Sequence, residues 1–189
     1  VCTGQILNMS EFSRDLGVSV PTVKRWFSIL EASHQIYLLY PYYRNIGKRL
    51  VKAPKLYFID TALASYLLGL HDKDTLTGSP SFGHLFETFI IVDILKRFYH
   101  SGETKPPLYY LRTRDGLEID LLIELGGKLH LVEIKSSMTM TPKFAEPLRR
   151  ALGDLDKRAQ QGVLVSRSKE TFSFGPHIIH KNWQDILAV

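Results

Sequence analysis

Within the stretch GLEIDLLIELGGKLHLVEIKSS, residues 116–137, four charged side chains, Glu118, Asp120, Glu133 and Lys135, are of types that could manage phosphate chemistry. Gly126-Gly127 is a two-residue hairpin turn, since both glycines can take positive φ at little steric cost. That turn predicts Asp120 opposite Glu133, Glu118 opposite Lys135 and Leu122 opposite Leu131. Side chains alternate along a strand, so these six share one face. Ile119, Leu121, Ile123, His130, Val132 and Ile134 share the other, which we expect to be core. The first face then carries a charged cluster beside a small apolar base.

Two directly opposed carboxylates would hold their Cβ atoms about 5 Å apart. If both are ionised, the repulsion costs about 3 kcal/mol at an effective dielectric near 20. Lys135 offsets part of it. A hard dication such as Mg²⁺ would offset more, because it binds through one or two carboxylates, waters and phosphate oxygens. The plainer alternative is a surface patch in which Glu118 and Lys135 form a cross-strand salt bridge worth under about 1 kcal/mol. A third carboxylate lies upstream. In GHLFETFIIVDILKRFY, Glu87 sits in the same helical stripe as Ile90, Ile91, Ile94 and Phe98, where an unpaired charge would cost several kcal/mol. A shared metal or Lys135 would serve as its partner; a buried acid satisfied by nearby backbone is the alternative.

The elements that must position these groups follow from periodicity. Ser10 is expected to cap EFSRDLG, which Gly17 ends, and Ser19 with Pro21 starts TVKRWFSILEAS. In the second helix Val23, Trp26, Phe27 and Leu30 form an apolar stripe opposite Lys24, Arg25 and Ser28. The strand-like QIYLLYPYY and KLYFID flank a basic turn, so helix, turn, helix and basic-tipped hairpin read as a winged helix over 1–70. HDKDTLTGSPSFG, rich in turn residues, is expected to be a linker over 71–82. Residues 83–189 read as a helix, three strands LYYLRT, LEIDLLIE and LHLVEIKS, a helix around PKFAEPLRRALGDLDKRA, a strand GVLVS, and a last strand and helix: an α/β (α+β) arrangement with helices flanking a mixed sheet.

Bulk properties narrow the function class. With 189 residues, 44% hydrophobic and 23% charged, the chain has the balance of a globular protein with one core or two small ones. It shows no membrane-spanning run and no signal peptide, and we expect a cytoplasmic protein with no membrane partner. A lone Cys2 excludes a disulfide framework and a thiolate metal site. Of the net charge of +5, residues 1–60 carry eight Lys/Arg against four acids and the rest 16 against 15. The basic excess sits in the first third, which suits an anionic partner there or a merely solvated basic face. No phosphate-cradling loop occurs, IGKRL and GGKL lacking the rest of that motif, so no ATP site is expected.

An acid on the first helix, Asp120 on one strand and Glu133-Ile134-Lys135 on the next resemble the signature of the PD-(D/E)XK nuclease superfamily. More widely, DLGVSVPTVKRWFSILEAS through TALASYLLGL, then GHLFETFI, TRDGLEIDLLIE and VEIKSS, resemble the C-terminal region of bacterial and archaeal AAA-type ATPases that end in a domain of unknown function. The resemblance covers nearly the whole chain. It implies a restriction-endonuclease-like domain and Mg²⁺- or Mn²⁺-dependent phosphodiester hydrolysis. It also implies roles: Asp120 and Glu133 as metal ligands with the carbonyl of Ile134, Lys135 orienting water or stabilising charge on the phosphate, and Glu87 as accessory ligand. Ile119 stands where the motif's name has Pro. The absence of an initial Met and of an ATPase motif leads us to expect a fragment whose N-terminal ATPase partner has been removed.

Three readings compete. In the first, a metal-dependent nuclease holds nucleic acid, DNA in the first instance, through Lys24, Arg25, Arg44, Lys48, Arg49 and Lys52. In the second, a catalytically silent module helps an ATPase grip DNA or a partner. In the third, the N-terminal lobe merely packs between domains. The complete acid, acid, lysine set favours the first. Ser136-Ser137 beside Lys135 is no nucleophile pair, because an adjacent strand residue points to the opposite face. His177 and His180 read as surface histidines on opposite faces of a strand, and Gln160 and Gln161 as following the late helix within possible reach of DNA or a metal-bound water.

Overall fold

The computed structural model describes residues 2–43, 51–155 and 157–187, so Arg44, Lys48 and Arg49 of the expected basic tip lie outside the described residues. The architecture is mixed α/β with a helix-flanked sheet. Its two compact units interleave in sequence: Val1–Leu39 with Ala53–Thr88, and Tyr40–Lys52 with Phe89–Val189. Among the described residues, no helix is long and apolar enough to cross a membrane.

The first unit holds strand β1 (Gln5–Ile6), helices α1 (Met9–Leu16) and α2 (Val20–Ala32), strands β2 (Ile36–Leu39) and β3 (Lys55–Phe58), and helices α3 (Thr61–Leu67) and α4 (Lys73–Gly78). It also takes the start of helix α5 (Phe82–His100). Its sheet runs β1-β3-β2, antiparallel throughout. Leu7, Ile36, Leu38 and Leu56 form its core with Met9, Phe12, Phe27 and Phe58. Gly17, at φ 65°, ends α1, and Ser19 caps α2 by accepting from the Thr22 N–H, as the sequence predicts.

Three expectations change here. The cap of α1 is Asn8, whose carboxamide accepts from the Glu11 N–H, so Ser10 lies inside the helix. Strand β1, for which the sequence gives no expectation, is two residues long and too short to show alternation. The segment expected as a linker contains α4, started by a capping box in which Asp72 accepts from the Asp74 and Thr75 N–H groups while the Thr75 hydroxyl faces the Asp72 N–H. Capping chemistry forms this helix without an apolar stripe, so periodicity does not reveal it. On α2, Val23 is fully buried and Phe27 meets Phe12 edge-on at 5.2 Å, but Trp26 and Leu30 stay 45% and 39% exposed. That helix buries a narrower strip than its pattern implies.

The second unit is built on strands β4 (Leu108–Arg112), β5 (Glu118–Leu125), β6 (Lys128–Lys135), β7 (Ala159–Ser166) and β8 (Ile178–Asn182), in the order β4-β5-β6-β7-β8. The first three pair antiparallel; β6, β7 and β8 are parallel. A parallel pair needs a crossover, supplied between β6 and β7 by a 3-10 turn (Pro142–Ala145) and helix α6 (Glu146–Asp154). Helix α7 (Trp183–Leu187) closes the described chain. The β5–β6 register is the predicted one, Leu121 facing Val132 and Leu122 facing Leu131. Strand β7 begins before GVLVS, so Gln160 and Gln161 belong to the strand.

The hairpin face expected to hold only a small apolar base is instead a main part of the core: Leu122, Leu129 and Leu131 pack with Leu148 and Ala151 of α6. Leu121, Val132 and Ile134 on the other face are buried too. Gly162 of β7 fits because a Cβ there would come within 3.1 Å of Leu148. Both faces of the hairpin are therefore covered around Leu121–Leu122 and Leu131–Val132, and its charged residues sit at the two ends: Glu124 and Lys128 by the turn, and Glu118, Asp120, Glu133 and Lys135 at the end away from it.

Candidate active site

At that end the ladder gives way to side chains. The Cα-paired positions of β5 and β6 run from Leu125–Lys128 to Leu121–Val132. Immediately beyond, the Asp120 carboxylate reaches across and its Oδ2 accepts from the Ile134 backbone N–H at 2.8 Å. The Lys135 ammonium donates to Glu133 Oε1 at 2.5 Å and stands 4.0 Å from Asp120 Oδ2. Asp120 and Glu133 are buried, while Lys135 is partly exposed. Glu118 pairs with Arg112 of β4 at 3.2 Å. Thus Asp120, Glu133 and Lys135 are gathered into one constellation, with a cation between two acids whose mutual repulsion would otherwise be unfavourable.

The donor chemistry is that of a hard cation. Asp120 and Glu133 offer carboxylate oxygens, and Ile134 offers a carbonyl. A paired strand residue uses its N–H and C=O on the same edge, so this carbonyl is turned toward the β5 side, where Asp120 lies. Among the described residues no group of three or more His, Cys, Asp or Glu is arranged to hold a metal. A dication here would rely on these two acids, the carbonyl and waters, which suits Mg²⁺ or Mn²⁺ and not a thiolate or imidazole metal.

Glu87 lies on α5 within the first unit, and its buried position demands a partner. Strand β3 provides two: the Lys55 ammonium donates to Glu87 Oε1 at 3.2 Å and the Tyr57 hydroxyl donates to the same oxygen at 2.6 Å. Lys55 and Tyr57 are themselves almost fully buried. Their spacing of two along a strand is the sequence signal that could have found them, since it sets both on one face.

A second polar network flanks the constellation. Ser166 of β7 is the register partner of Lys135, and Asn182 of β8 that of Ser166. Ser166 is fully buried, with its hydroxyl 2.7 Å from His180 Nε2. His180 Nδ1 lies 2.6 Å from the Glu170 carbonyl, an acceptor, so Nδ1 carries the proton and Nε2 accepts from Ser166. The Ser166 oxygen in turn accepts from the Ser168 N–H, and Phe172 stacks on the imidazole at 4.9 Å. Burial holds the His180 pKa below its ordinary value, with the Glu170 carbonyl and Asp185 acting the other way. The expected surface position of His180 is therefore wrong: parallel β8 is covered on the face that carries it. His177 is exposed as expected, and lines a groove of about 710 Å³ with Lys157, Gln160 and Gln161. Gln161 registers with His130, three residues before Glu133 on β6, or about 10 Å along the strand, which removes it from the carboxylates.

Of the expected nucleic-acid contacts within the described residues, Lys24 and Arg25 on α2 and Lys52 in the second unit are exposed.

Comparison with known proteins adds family context. A family model described as a domain of unknown function, DUF4143, matches residues 82–183, more than half of the chain. Another, described as domain of unknown function DUF8612, matches residues 1–74. Uncharacterized proteins of Mycobacterium bovis and Mycobacterium tuberculosis are each 36% identical over 152 residues, covering 80% of this chain and 33% of theirs. The chain thus spans about a third of the length of these curated relatives. No solved structure gives a significant match.

Proposed function

The chain belongs to the DUF4143 family, and we propose that its second unit is a metal-dependent nuclease domain of the PD-(D/E)XK kind that hydrolyses phosphodiester bonds in DNA. One observation carries the reading: Lys135 lies 2.5 Å from Glu133 and 4.0 Å from Asp120 at the end of a buried hairpin. Asp120, Glu133 and the Ile134 carbonyl would hold Mg²⁺ or Mn²⁺. When bound, the ion supplies Lewis-acid polarisation of the phosphate and acidifies a water. Lys135 keeps two acids together and supplies positive charge where the scissile phosphate gains negative charge. The burial of both acids keeps bulk water from screening these charges. Glu87 belongs to the first unit, where its carboxylate is committed to Lys55 and Tyr57, so the assignment rests on Asp120 and Glu133.

In the first unit, a three-stranded sheet with α1 and α2 supports a winged-helix reading, with Lys24 and Arg25 on the phosphate backbone. The companion ATPase inferred from sequence resemblance belongs to the same proposal. A specific observation favours a second reading for this unit: Trp26, Ile29 and Leu30 leave α2 with an exposed apolar strip, better suited to a protein partner than to phosphates. In that reading the chain is a silent accessory module.

The test is calorimetric titration of Mg²⁺ and Mn²⁺ into the wild-type chain and Asp120→Ala, paired with cleavage of linear, nicked and branched DNA. Metal uptake and metal-dependent cleavage, both lost in the variant, are expected. DNA binding with neither metal uptake nor cleavage would refute the nuclease assignment in favour of the accessory module.

A further inference from the structure

Strand β7 opens with an irregularity. Its pairing with β6 steps from Leu129–Ala159 to His130–Gln161, so Gln160 is an extra residue in the register. A bulge breaks the alternation of side chains and re-aims one of them: Gln160 and Gln161 are both exposed, between buried Ala159 and Gly162. Directly after it the Gly162 N–H donates to the His177 carbonyl at 2.8 Å, which fastens the turn Gly175-Pro176-His177 beside the two glutamines. The turn is itself fixed, because the Phe174 N–H donates to the Ile178 carbonyl at 2.9 Å and the Ser173 hydroxyl donates to the Gly175 carbonyl. Bulge and turn are the walls of the groove of about 710 Å³, in which Leu152 of α6, Ala159 and Pro176 supply apolar surface and Gln160, Gln161 and His177 polar groups. Among the described residues, the two carboxamides and the His177 imidazole make no hydrogen bond to the rest of the chain.

We infer that this groove binds an adenine ring, carried by a free nucleoside or nucleotide or by an unpaired residue of a strand. Small-molecule sites have volumes of about 300–1,000 Å³ and an apolar lining with a few convergent polar groups, and the groove has both. Its two carboxamides are neutral, each with an acceptor oxygen and two donor hydrogens. They suit a flat neutral ligand that shows donor and acceptor on one edge. Adenine does so: its N6 amino group donates to the carboxamide oxygen and its N7 accepts from the carboxamide N–H, the pairing by which Gln recognises this base. The apolar surface of Leu152 and Pro176 suits the ring, and imidazole is among the side chains on which unpaired bases stack. Both walls are held by backbone hydrogen bonds in the free chain, so little ordering is needed on binding. The groove lies at the start of β7, and the Glu133 carboxylate toward the far end of β6, so the ring is held there and not cleaved.

The experiment titrates adenosine, inosine and (dA)20 into the whole ¹⁵N-labelled chain in EDTA, so that no cleavage is involved, and follows the side-chain amide signals of Gln160 and Gln161 by nuclear magnetic resonance. Adenosine is expected to shift these signals with a Kd at or below about 1 mM. Inosine, the same ring with oxygen in place of the N6 amino group, should bind at least about five-fold more weakly, since it presents only acceptors on that edge. Gln160→Leu and Gln161→Leu, both at exposed positions, should each weaken adenosine at least about five-fold, and His177→Ala should weaken it where His177→Phe does not. The (dA)20 arm identifies the carrier: tighter binding than adenosine supports an unpaired base in a strand, and binding of adenosine alone supports a free nucleoside or nucleotide. Unmoved glutamine amides, equal affinity for inosine, or wild-type affinity in both glutamine variants would overturn the adenine site. The nuclease reading fails separately: an inactive chain that binds adenosine through these residues leaves the site standing, and metal-dependent cleavage with unmoved amides removes the site alone.

Discussion

Replacing Lys135 by Ala tests the electrostatics of the constellation before any question of catalysis. The ammonium lies 2.5 Å from Glu133 and 4.0 Å from Asp120, and the side chains of these acids are only 5% and 10% exposed. A unit charge pair at 4 Å interacts by about 4 kcal/mol at an effective dielectric near 20. Removing one partner from a buried pair costs about 3–5 kcal/mol because the other charge stays desolvated. The Lys135 side chain is 30% exposed, so water already screens part of this, and about 2–3 kcal/mol is the expected loss. Urea unfolding at pH 7.5 reads it as a lower midpoint with unchanged slope. One control fixes the cause: Mg²⁺ should stabilise the variant more than wild type, since it substitutes for the missing cation. A variant within about 0.5 kcal/mol of wild type, or a deficit independent of Mg²⁺, would refute the reasoning. Cleavage should be lost throughout, in a chain that still folds.

Other consequences are smaller in scope. Burial lowers the His180 pKa, so the unfolded chain takes up the proton first; stability is flat above about pH 6.5 and declines as pH falls through it, by at most about 1.4 kcal/mol per unit. Chemical unfolding between pH 8 and 5.5 should show that decline in wild type and a shallower one in His180→Gln. In the first unit, Lys55→Met leaves Glu87 buried with Tyr57 as a hydrogen-bond donor and should cost about 3–5 kcal/mol, whereas Lys55→Met combined with Glu87→Leu should recover most of that loss. Thermal or urea unfolding of the three chains checks it, and a double variant as weak as the single would show that the charge is not the issue.

Much of the candidate site is legible because strand pairing is a strict code. Gly126-Gly127 fixes the turn, and the turn fixes the register as far as Leu121–Val132; beyond that β5 shifts register against β4, and Asp120 turns its carboxylate to the Ile134 N–H, which alternation does not carry. What the code does not carry is coverage: Leu122 and Leu131 look like a small base until α6 is known to lie on them. Partners across distant sequence are equally hidden. Glu87 announces that it needs a counter-charge, but only the folded chain says that Lys55 and Tyr57 provide it. The late strands illustrate the opposite error. Two histidines spaced by three residues in a strand read as surface residues, yet β8 is parallel to β7 and His180 is buried against Ser166. Helix α4 escaped because capping, not periodicity, specifies it.

The location of the charges follows from where hydrogen bonding between β5 and β6 changes hands. Where the hairpin packs against α6, Leu122, Leu129 and Leu131 are committed to packing, so an ionised group in their place would be desolvated without compensation. At Asp120 the situation reverses: the carboxylate takes over the Ile134 N–H, Glu133 takes the Lys135 ammonium, and each charge acquires a partner. The hairpin can therefore bury two acids at its end without surrendering its core. That arrangement makes a sharp demand on any active site built here. A metal must displace or share the Lys135–Glu133 contact, while Asp120 keeps its backbone donor. Metal uptake should consequently alter the environment of Lys135 more than the hydrogen bonding of the Ile134 amide, and nuclear magnetic resonance of the two groups during a Mg²⁺ titration would separate them. A larger response at the Ile134 amide would mean that the ion breaks the strand contact, contrary to the mechanism proposed.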